Sequence, residues 1–194
     1  MADLKLYDKL DLAPLREYFM NHGERRLYRR GQHFITIGRT AAEMGLVVSG
    51  GFAFSHPDYK GDRQILTLAF AGELVGNYIT PDLSGRAGYD ATAMCESEVL
   101  VVPHSDFVAR LDSIGSDFKF RFTLAIAMSF MMRATSMRCD SPETRYRELL
   151  RRMPEINGRM SMTAIASYLG ITRETFARLR NRLRTENRDS DQNG

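Results

Sequence analysis

Four side chains near the C-terminus carry the clearest chemistry in this sequence. On a helix, at about 100° per residue, Glu174, Arg178 and Asn181 centre on one face, and Arg173 lies beside them. An arginine can donate two parallel hydrogen bonds to a guanine edge, and a glutamate can accept one from cytosine. The pattern predicts Arg173, Glu174 and Arg178 as residues that read base edges in the major groove of DNA.

The residues around this group have the spacing of a helix-turn-helix. Ile165 and Leu169 share one helical face, and Ala166 is small where a second helix must cross closely. Gly170 falls at the sharp turn, and Thr172 can cap the next helix. The apolar stripe of that second helix is Phe176, Leu179 and Leu183. The alternative interpretation is a helical hairpin whose charged face is merely solvated.

The charge of the chain is concentrated around this motif. Residues 133–188 contain 13 arginines, no lysine and six acidic residues, a net charge of +7. The remainder contains 14 basic and 18 acidic residues, a net charge of −4. This asymmetry favours a polyanion-binding module joined to a second region. The residues expected to contact DNA phosphates or to flank the base-reading face are Thr163, Thr172, Asn181, Arg180 and Arg182.

Length and composition restrict the class of protein. The 194 residues fit one large or two small domains, and 43% are hydrophobic, enough for a core. No apolar run reaches the roughly 18 residues of a membrane span, and the N-terminus lacks a signal-peptide core. Cys95 and Cys139 are the only cysteines, so no disulfide framework is expected. We expect a cytoplasmic protein with no membrane partner.

The first half of the chain changes from a helical to a strand-like pattern near Gly31. Short β-prone runs separated by glycine-containing turns recur at intervals of roughly 8–12 residues, which favours a sandwich, barrel or jelly roll. The runs are His33–Ile37, Leu46–Ser49, Phe52–Ser55, Gln64–Phe70, Ala91–Met94 and Val99–Val102.

Residues from about 116 to 138 predict a long helix that is apolar on nearly every side. One face can pack on the β domain, and the other needs a partner. Leu124, Met128, Met131 and Thr135 alternate at four and three residues, as in a short coiled-coil, and form the candidate dimer seam. The alternative is a helix buried within one domain.

The expected fold class is therefore α+β, with three successive regions. Residues 1–138 form an N-terminal β-roll or jelly roll ending in the dimerisation helix of 116–138. Residues 139–188 form the helix-turn-helix domain, which starts where Ser141 can cap a helix and Pro142 occupies its first position. Residues 189–194 are a polar tail expected to be disordered.

The order of these regions resembles the CRP/FNR family of bacterial transcription regulators. The motifs that carry the resemblance are Tyr28-Arg-Arg-Gly31, Val48-Ser-Gly50, Gly72-Glu-Leu-Val-Gly76, Glu98-Val-Leu-Val-Val102 and Thr172-Arg-Glu-Thr-Phe-Ala-Arg178. The resemblance implies a cyclic-nucleotide-binding-like β-roll, a homodimer, a pseudopalindromic operator in double-stranded DNA and RNA polymerase as a partner. It implies guanine contacts by Arg173 and Arg178, a cytosine contact by Glu174 and a half-site similar to TGTGA. Residues 154–161 are too short for a full β-hairpin wing, so a reduced wing is expected.

The region that would bind an effector departs from the family pattern. Members that bind cyclic nucleotides carry a glutamate for the ribose and an Arg-Ser/Thr-Ala run for the phosphate. This chain has Asn77 at the glutamate position, and Ala87-Gly88 follow Arg86. We therefore expect an effector other than cyclic AMP, or a structural loop without a ligand. The candidate pocket residues are Gly72, Glu73, Gly76, Asn77 and Arg86.

The sequence also restricts the possible cofactors and functional classes. Two cysteines cannot hold an iron–sulfur cluster, and no histidine lies in a haem-ligand motif, so no cofactor or metal is expected. The chain has no nucleophile elbow, phosphate-binding glycine loop or metal-ligand spacing, which argues against an enzyme. We interpret the sequence as a homodimeric DNA-binding regulator modulated by an effector. The alternatives are a ligand-independent regulator with a vestigial sensor domain and a cyclic-nucleotide-responsive subunit of an enzyme.

Overall fold

The computed structural model describes residues 10–78 and 85–192, and for residues 187–192 it describes the backbone alone. The chain divides into two compact units, Met1–Ser136 and Met137–Gly194. The helices of the described residues are α1 (Ala13–His22), α2 (His104–Ile114), α3 (Ser116–Cys139), α4 (Pro142–Arg152), α5 (Ile156–Arg159), α6 (Met162–Leu169) and α7 (Arg173–Gln192). The strands are β1 (Glu24–Tyr28), β2 (His33–Ile35), β3 (Glu43–Ser49), β4 (Gly51–Pro57), β5 (Arg63–Phe70), β6 (Leu74–Gly76), β7 (Asp90–Ala93) and β8 (Ser97–Pro103).

The strands of the first unit form two four-stranded antiparallel sheets. Their orders are β1-β8-β3-β6 and β2-β7-β4-β5. Strands adjacent in sequence, such as β3 and β4, lie in different sheets, so the chain winds between two layers as in a roll. The predicted α+β fold with an N-terminal β-roll is confirmed.

The two central strands of the first sheet separate two apolar cores. Val47 of β3 and Val99 of β8 lie between the sheets. Leu46 and Leu100, one position along each strand, face the opposite side and join the core formed with the helices. Alternation at a period of two places one apolar set on each side of the sheet, which explains why these strands are almost continuously apolar.

Aromatic side chains join α1, α2 and α3 on the outer face of the first sheet. Phe19, Phe107 and Phe122 are fully buried, one from each helix. Their ring centroids are 6.0 Å apart for Phe19 and Phe107 and 5.8 Å apart for Phe107 and Phe122. Each such buried ring contributes about 1.5–3 kcal/mol of apolar transfer free energy. This cluster fixes which face of α3 is turned inward.

Strands β1 and β6 are absent from the runs that the sequence predicts. β1 has the sequence Glu-Arg-Arg-Leu-Tyr, which lacks the apolar alternation of a half-buried strand. Its arginines pair with carboxylates of β8 and β3: Arg25 pairs with Glu98, and Arg26 Nη1 lies 2.9 Å from Glu43 Oε1. Cross-strand ion pairs and backbone pairing with β8 therefore replace apolar burial at this position.

The second unit is helical, and its first helix begins where the sequence predicts. Ser141 Oγ accepts a hydrogen bond of 3.0 Å from the backbone N–H of Thr144, and Pro142 occupies the first turn of α4. The expected reduced wing takes the form of the helical turn α5, and the described residues between α4 and α6 include no strand. Ile156 anchors this turn in the core, and Asn157 accepts a hydrogen bond from Tyr146.

Two expectations concern the C-terminal tail and membrane spans. Helix α7 continues through Gln192, so residues 189–192 extend the helix where the sequence predicts a disordered tail. Residues 193–194 lie outside the described residues, as do residues 1–9. None of the helices in the described part of the chain is long and apolar enough to span a membrane.

Adjacent residues of α1 provide a matched test of the aromatic cluster. We expect Phe19→Ala to lower the free energy of unfolding by about 3–5 kcal/mol, because it leaves a cavity between α1 and the sheet. Met20 is 63% exposed, so Met20→Ala should change the free energy of unfolding by about 0.5 kcal/mol or less. Urea unfolding of both variants measures the difference. Equal destabilisation by the two substitutions would contradict the position of α1.

Candidate nucleic-acid interface and effector site

The first helix of the motif, α6, has a defined start and a buried face. Ser161 Oγ accepts a hydrogen bond of 3.1 Å from the backbone N–H of Ala164. Ile165, Ala166 and Leu169 are buried, as their spacing predicts, while Thr163 is exposed. The small side chain of Ala166 therefore lies inside the unit, in the position where a second helix needs close approach.

Gly170 forms the turn between the two helices. Its φ is +67°, in the left-handed region that glycine enters without a steric penalty. The N–H of Gly170 donates to the carbonyl of Ser167, and the N–H of Ile171 donates to that of Ala166. A Cβ at position 170 would collide with the methyl group of Met137. The backbone conformation therefore favours glycine here, and a Cβ would also displace the end of the flexible Met137 side chain.

The second helix of the motif, α7, begins with the predicted cap. Thr172 Oγ1 accepts a hydrogen bond of 3.2 Å from the backbone N–H of Thr175. Glu174 follows in the first turn, and a hydrogen bond from its own backbone N–H lowers the pKa of its carboxyl group. A hydrogen bond with Thr172 and the charges of Arg173 and Arg178 act in the same direction. The carboxylate is therefore ionised and available as an acceptor at neutral pH.

The two faces of α7 have opposite character. Phe176, Leu179 and Leu183 are buried, and the ring of Phe176 meets that of Tyr146 edge-to-face at 5.0 Å. The polar residues predicted on the other face are all exposed: Arg173, Glu174, Arg178 and Asn181. The buried stripe therefore leaves hydrogen-bond donors and acceptors on the face exposed to solvent.

The two flanking arginines differ in their surroundings. Arg182 pairs with Glu143 of α4 and lies 3.6 Å from Glu186, and Arg147 contacts the same two carboxylates. Arg180 is half-buried, and its Nε is enclosed with no hydrogen-bond partner among the described residues. Arg182 is thus held in an ion-pair network on the side of α7 that faces α4.

The candidate dimer seam lies on the exposed side of α3. Phe122 and Ala125 are buried against the first unit. On the other side, Leu124 is 45% and Met131 62% exposed, and Met128 and Thr135 are exposed as well. The helix is therefore covered on one face only.

In the β-roll, Asn77 is buried beside an aromatic residue that the sequence analysis did not single out. Asn77 is 1% exposed, and its Oδ1 accepts a hydrogen bond of 3.0 Å from the hydroxyl of Tyr89. Burial raises the pKa of Tyr89 to about 12, so the phenol stays a neutral donor. Its ring packs edge-to-face on Phe54 at 5.4 Å. Asn77 Nδ2 has no hydrogen-bond partner among the described residues.

The other predicted pocket residues have structural contacts. Gly72 adopts a φ of +84° in a turn, and Glu73 accepts a hydrogen bond of 3.0 Å from the N–H of Phe70. Gly76 leaves room for the side chain of Met44. Arg86 is exposed and donates to the carbonyl of Gly38 at 3.0 Å. The structure therefore brings Gly76 and Asn77 together with Tyr89, and it places the Arg86 guanidinium on the surface.

One further side chain of the helix-turn-helix unit was not predicted. Arg145 is only 8% exposed, although it is charged. It lies four residues before Leu149 and next to Tyr146, both of which are buried. The signal in the sequence is a charged residue at an apolar position of the helix, one turn before Leu149.

The comparisons with known proteins agree with this architecture. Residues 25–113 match the family model described as the cyclic nucleotide-binding domain. No curated protein sequence is significantly similar to the chain.

Solved structures with this fold cover both units of the chain. FixK2 from Bradyrhizobium japonicum has a TM-score of 0.70 at 20% identity, over 85% of this chain and 86% of that one. The c-di-GMP responsive global regulator CLP from Xanthomonas campestris has a TM-score of 0.61 at 17% identity, over 91% and 93%. A Eubacterium rectale protein described as a transcriptional regulator of the crp/fnr family has a TM-score of 0.63 at 16% identity, over 94% and 87%.

The resemblance that the sequence motifs indicate is thereby confirmed. Residues 25–113 thus resemble the cyclic nucleotide-binding domain, and the fold of the chain is that of the CRP/FNR-type transcriptional regulators.

Proposed function

We propose that this protein is a sequence-specific DNA-binding transcriptional regulator that acts as a homodimer. The observation that carries the proposal is the exposed face of the capped helix α7, with Arg173, Glu174 and Arg178. In this proposal, residues 1–138 form the sensor-type and dimerisation region, and residues 139–188 bind the operator. Such a regulator acts in the cytoplasm, where bacterial DNA lies, and RNA polymerase is its partner.

Base reading follows from the chemistry of these three side chains. Each arginine can donate a pair of hydrogen bonds to O6 and N7 of a guanine, and ionised Glu174 can accept from the amino group of cytosine. The resemblance of these residues to the recognition helix of the CRP/FNR family implies a half-site similar to TGTGA. A carboxylate on this face also disfavours wrong bases, because an acceptor placed against guanine O6 would repel it.

The proposed phosphate contacts surround the base-reading face. Thr163, Thr172 and Asn181 are exposed at either end of it. Arg182 can reach a phosphate only by leaving Glu143 and Glu186. An ion pair with the phosphate would then replace its ion pairs with these two carboxylates. Arg180 would contribute through the end of its guanidinium group, since its Nε is enclosed. These contacts position the helix and carry little sequence information.

Dimerisation supplies the specificity that one helix lacks. One recognition helix covers only a few base pairs, and two related by twofold symmetry read a pseudopalindrome about one helical turn apart. The exposed side chains of Leu124, Met128 and Met131 support α3 as the contact between protomers. Burying them in a second copy removes the apolar surface that the first unit leaves uncovered.

The β-roll differs from a cyclic AMP site in the residues that would bind the nucleotide. A neutral, buried Asn77 replaces the carboxylate, and the Arg86 guanidinium is engaged by Gly38 on the surface. We therefore propose an effector other than cyclic AMP, acting through a difference in affinity for two arrangements of the dimer. A protein of the same fold, CLP, is c-di-GMP responsive, so effectors vary within this architecture.

One observation favours the ligand-independent alternative. Tyr89 and Phe54 pack against each other in the roll, and Tyr89 also satisfies Asn77 Oδ1. A roll interior that is filled by its own side chains needs no ligand for stability. The other alternative, a regulatory subunit of an enzyme, is disfavoured by the arginine-rich helix-turn-helix.

Base reading is tested by Arg178→Ala. We expect the difference in binding free energy between the operator and a scrambled sequence to fall by about 1–3 kcal/mol, because a bidentate guanine contact is lost. Arg151→Ala, the same change at an exposed position of α4, is the control and should preserve the discrimination. Fluorescence anisotropy on both DNAs provides the measurement. Full discrimination by Arg178→Ala would contradict the assignment of α7.

Dimerisation is tested by Met131→Asp. A charge at this position would be buried without a partner in the dimer, so we expect a monomer in sedimentation velocity. Met20→Asp places the same charge on an equally exposed methionine of α1 and should leave the dimer intact. An unchanged sedimentation coefficient for Met131→Asp would exclude the seam.

Cyclic AMP is tested by thermal unfolding at increasing nucleotide concentration. A ligand that binds the folded state raises the melting temperature as its concentration rises above its dissociation constant. We expect no shift with cyclic AMP, because no carboxylate occupies position 77 and Arg86 is held by Gly38. A cyclic-AMP-binding protein assayed in parallel is the positive control. A melting temperature that climbs with cyclic AMP concentration would contradict the proposed difference in effector.

A further inference from the structure

The guanidinium group of Arg145 binds backbone carbonyl groups from two separate helix ends. Nε and Nη2 donate to the carbonyl of Leu169 at 3.1 and 2.7 Å. Nη1 donates to the carbonyl of Asp140 at 2.5 Å and to that of Met137 at 3.4 Å. Leu169 is the last residue of α6, and Met137 lies in the last turn of α3. One buried side chain therefore connects the turn of the helix-turn-helix to the end of α3.

The chemistry of both helix ends suits a buried cation. The last carbonyl groups of a helix have no partner within the helix and carry the negative end of its dipole. The Arg145 guanidinium faces two such ends. Hydrogen bonds from a charged donor in a buried site are about twice as strong as those between neutral groups. The contact thus provides a stable, directional link.

A second contact joins the same two segments. The methyl group of Met137 occupies the space that a Cβ of Gly170 would need. Gly170 directly follows Leu169, the carbonyl of which accepts from Arg145. Polar and apolar contacts therefore converge on residues 137–140 and 169–170.

We propose that Arg145 is a positioning residue for DNA recognition, which holds the helix-turn-helix turn against the last turn of α3. This inference rests on the proposed function. Because Gly170 leads through Thr172 directly into α7, the position of Leu169 determines where the recognition helix starts. The clamp, defined as Arg145 with the carbonyl groups of Met137, Asp140 and Leu169, transmits the position of the α3 end to the base-reading face.

Lysine cannot replace arginine in this clamp. The guanidinium group presents donors on three nitrogen atoms in one plane, and those of Arg145 point to opposite sides. Lysine has a single ammonium nitrogen and can approach one of the two helix ends. Arg145→Lys therefore keeps the charge and removes the connection.

The first test measures the clamp in the free protein, without DNA. We expect the amides of residues 137–140 and 169–172 to exchange with solvent roughly 10–100-fold faster in Arg145→Lys, because charge-assisted hydrogen bonds are lost. Amides around Phe176 should keep their protection. Arg151→Lys, the same change at an exposed position of α4, is the matched control and should exchange like the native protein. Native exchange rates in both segments of Arg145→Lys would overturn the proposal.

The second test measures the consequence for DNA. Operators with the two half-sites at their preferred separation, and with one base pair added, are compared by anisotropy. We expect the ratio of the two affinities to fall towards one in Arg145→Lys, while binding to a single half-site stays close to native. A merely structural role would weaken all DNAs alike and leave the ratio unchanged. An unchanged ratio together with faster exchange would therefore overturn the positioning role.

A second variant covers the case in which Arg145→Lys does not fold. Met137→Ala keeps every donor of Arg145 and removes the methyl group that lies beside Gly170 at the turn. The same rise in exchange at residues 137–140 and the same fall in the spacing ratio are expected, and native values of both would overturn the proposal. A native protein that selects no operator would count against the proposed function, whereas the exchange rates would still show whether the clamp exists.

Discussion

Burial of the apolar stripe of α7 is the constraint on which the proposed DNA recognition depends. Phe176, Leu179 and Leu183 lie in the core of the second unit, and Phe176 packs on Tyr146. A rotation of the helix by one residue would turn every side chain by about 100° and bury an arginine or a glutamate. Because such a burial is costly, the rotation of α7 is fixed. The exposure of Glu174 and Arg178 follows from the packing on the opposite face.

A similar separation of faces organises α3 in the first unit. Its buried face is set by Phe122 among the aromatic rings on the first sheet. The opposite face exposes Leu124 and Met131. One helix therefore contributes to the core of the β-roll unit and exposes an apolar surface, which the proposed dimer would cover. Where the helix ends, the buried guanidinium of Arg145 meets its last carbonyl groups.

Local features of the fold were predictable from the sequence, and contacts between distant residues were not. The turn at Gly170 and the caps by Ser141 and Thr172 depend on a few neighbouring residues, and all three appear in the structure. Strand β1 was missed because ion pairs with Glu98 and Glu43 replace apolar alternation. The departure at Asn77 was visible in the sequence, but its contact with Tyr89 was not, because only the fold brings the two together. The contact of Arg145 with the carbonyl of Leu169 joins residues 24 positions apart, and helical periodicity relates only residues within one helix.

Selection of bound sequences from random DNA by the native protein tests the central claim most directly. If two α7 helices read DNA as a symmetric pair, the selected sequences will share a pseudopalindrome with half-site centres about 10–11 base pairs apart. Each half-site will contain guanines and a cytosine at the positions reached by Arg173, Arg178 and Glu174. A pool without an enriched motif, or with a single unpaired half-site, would contradict the account.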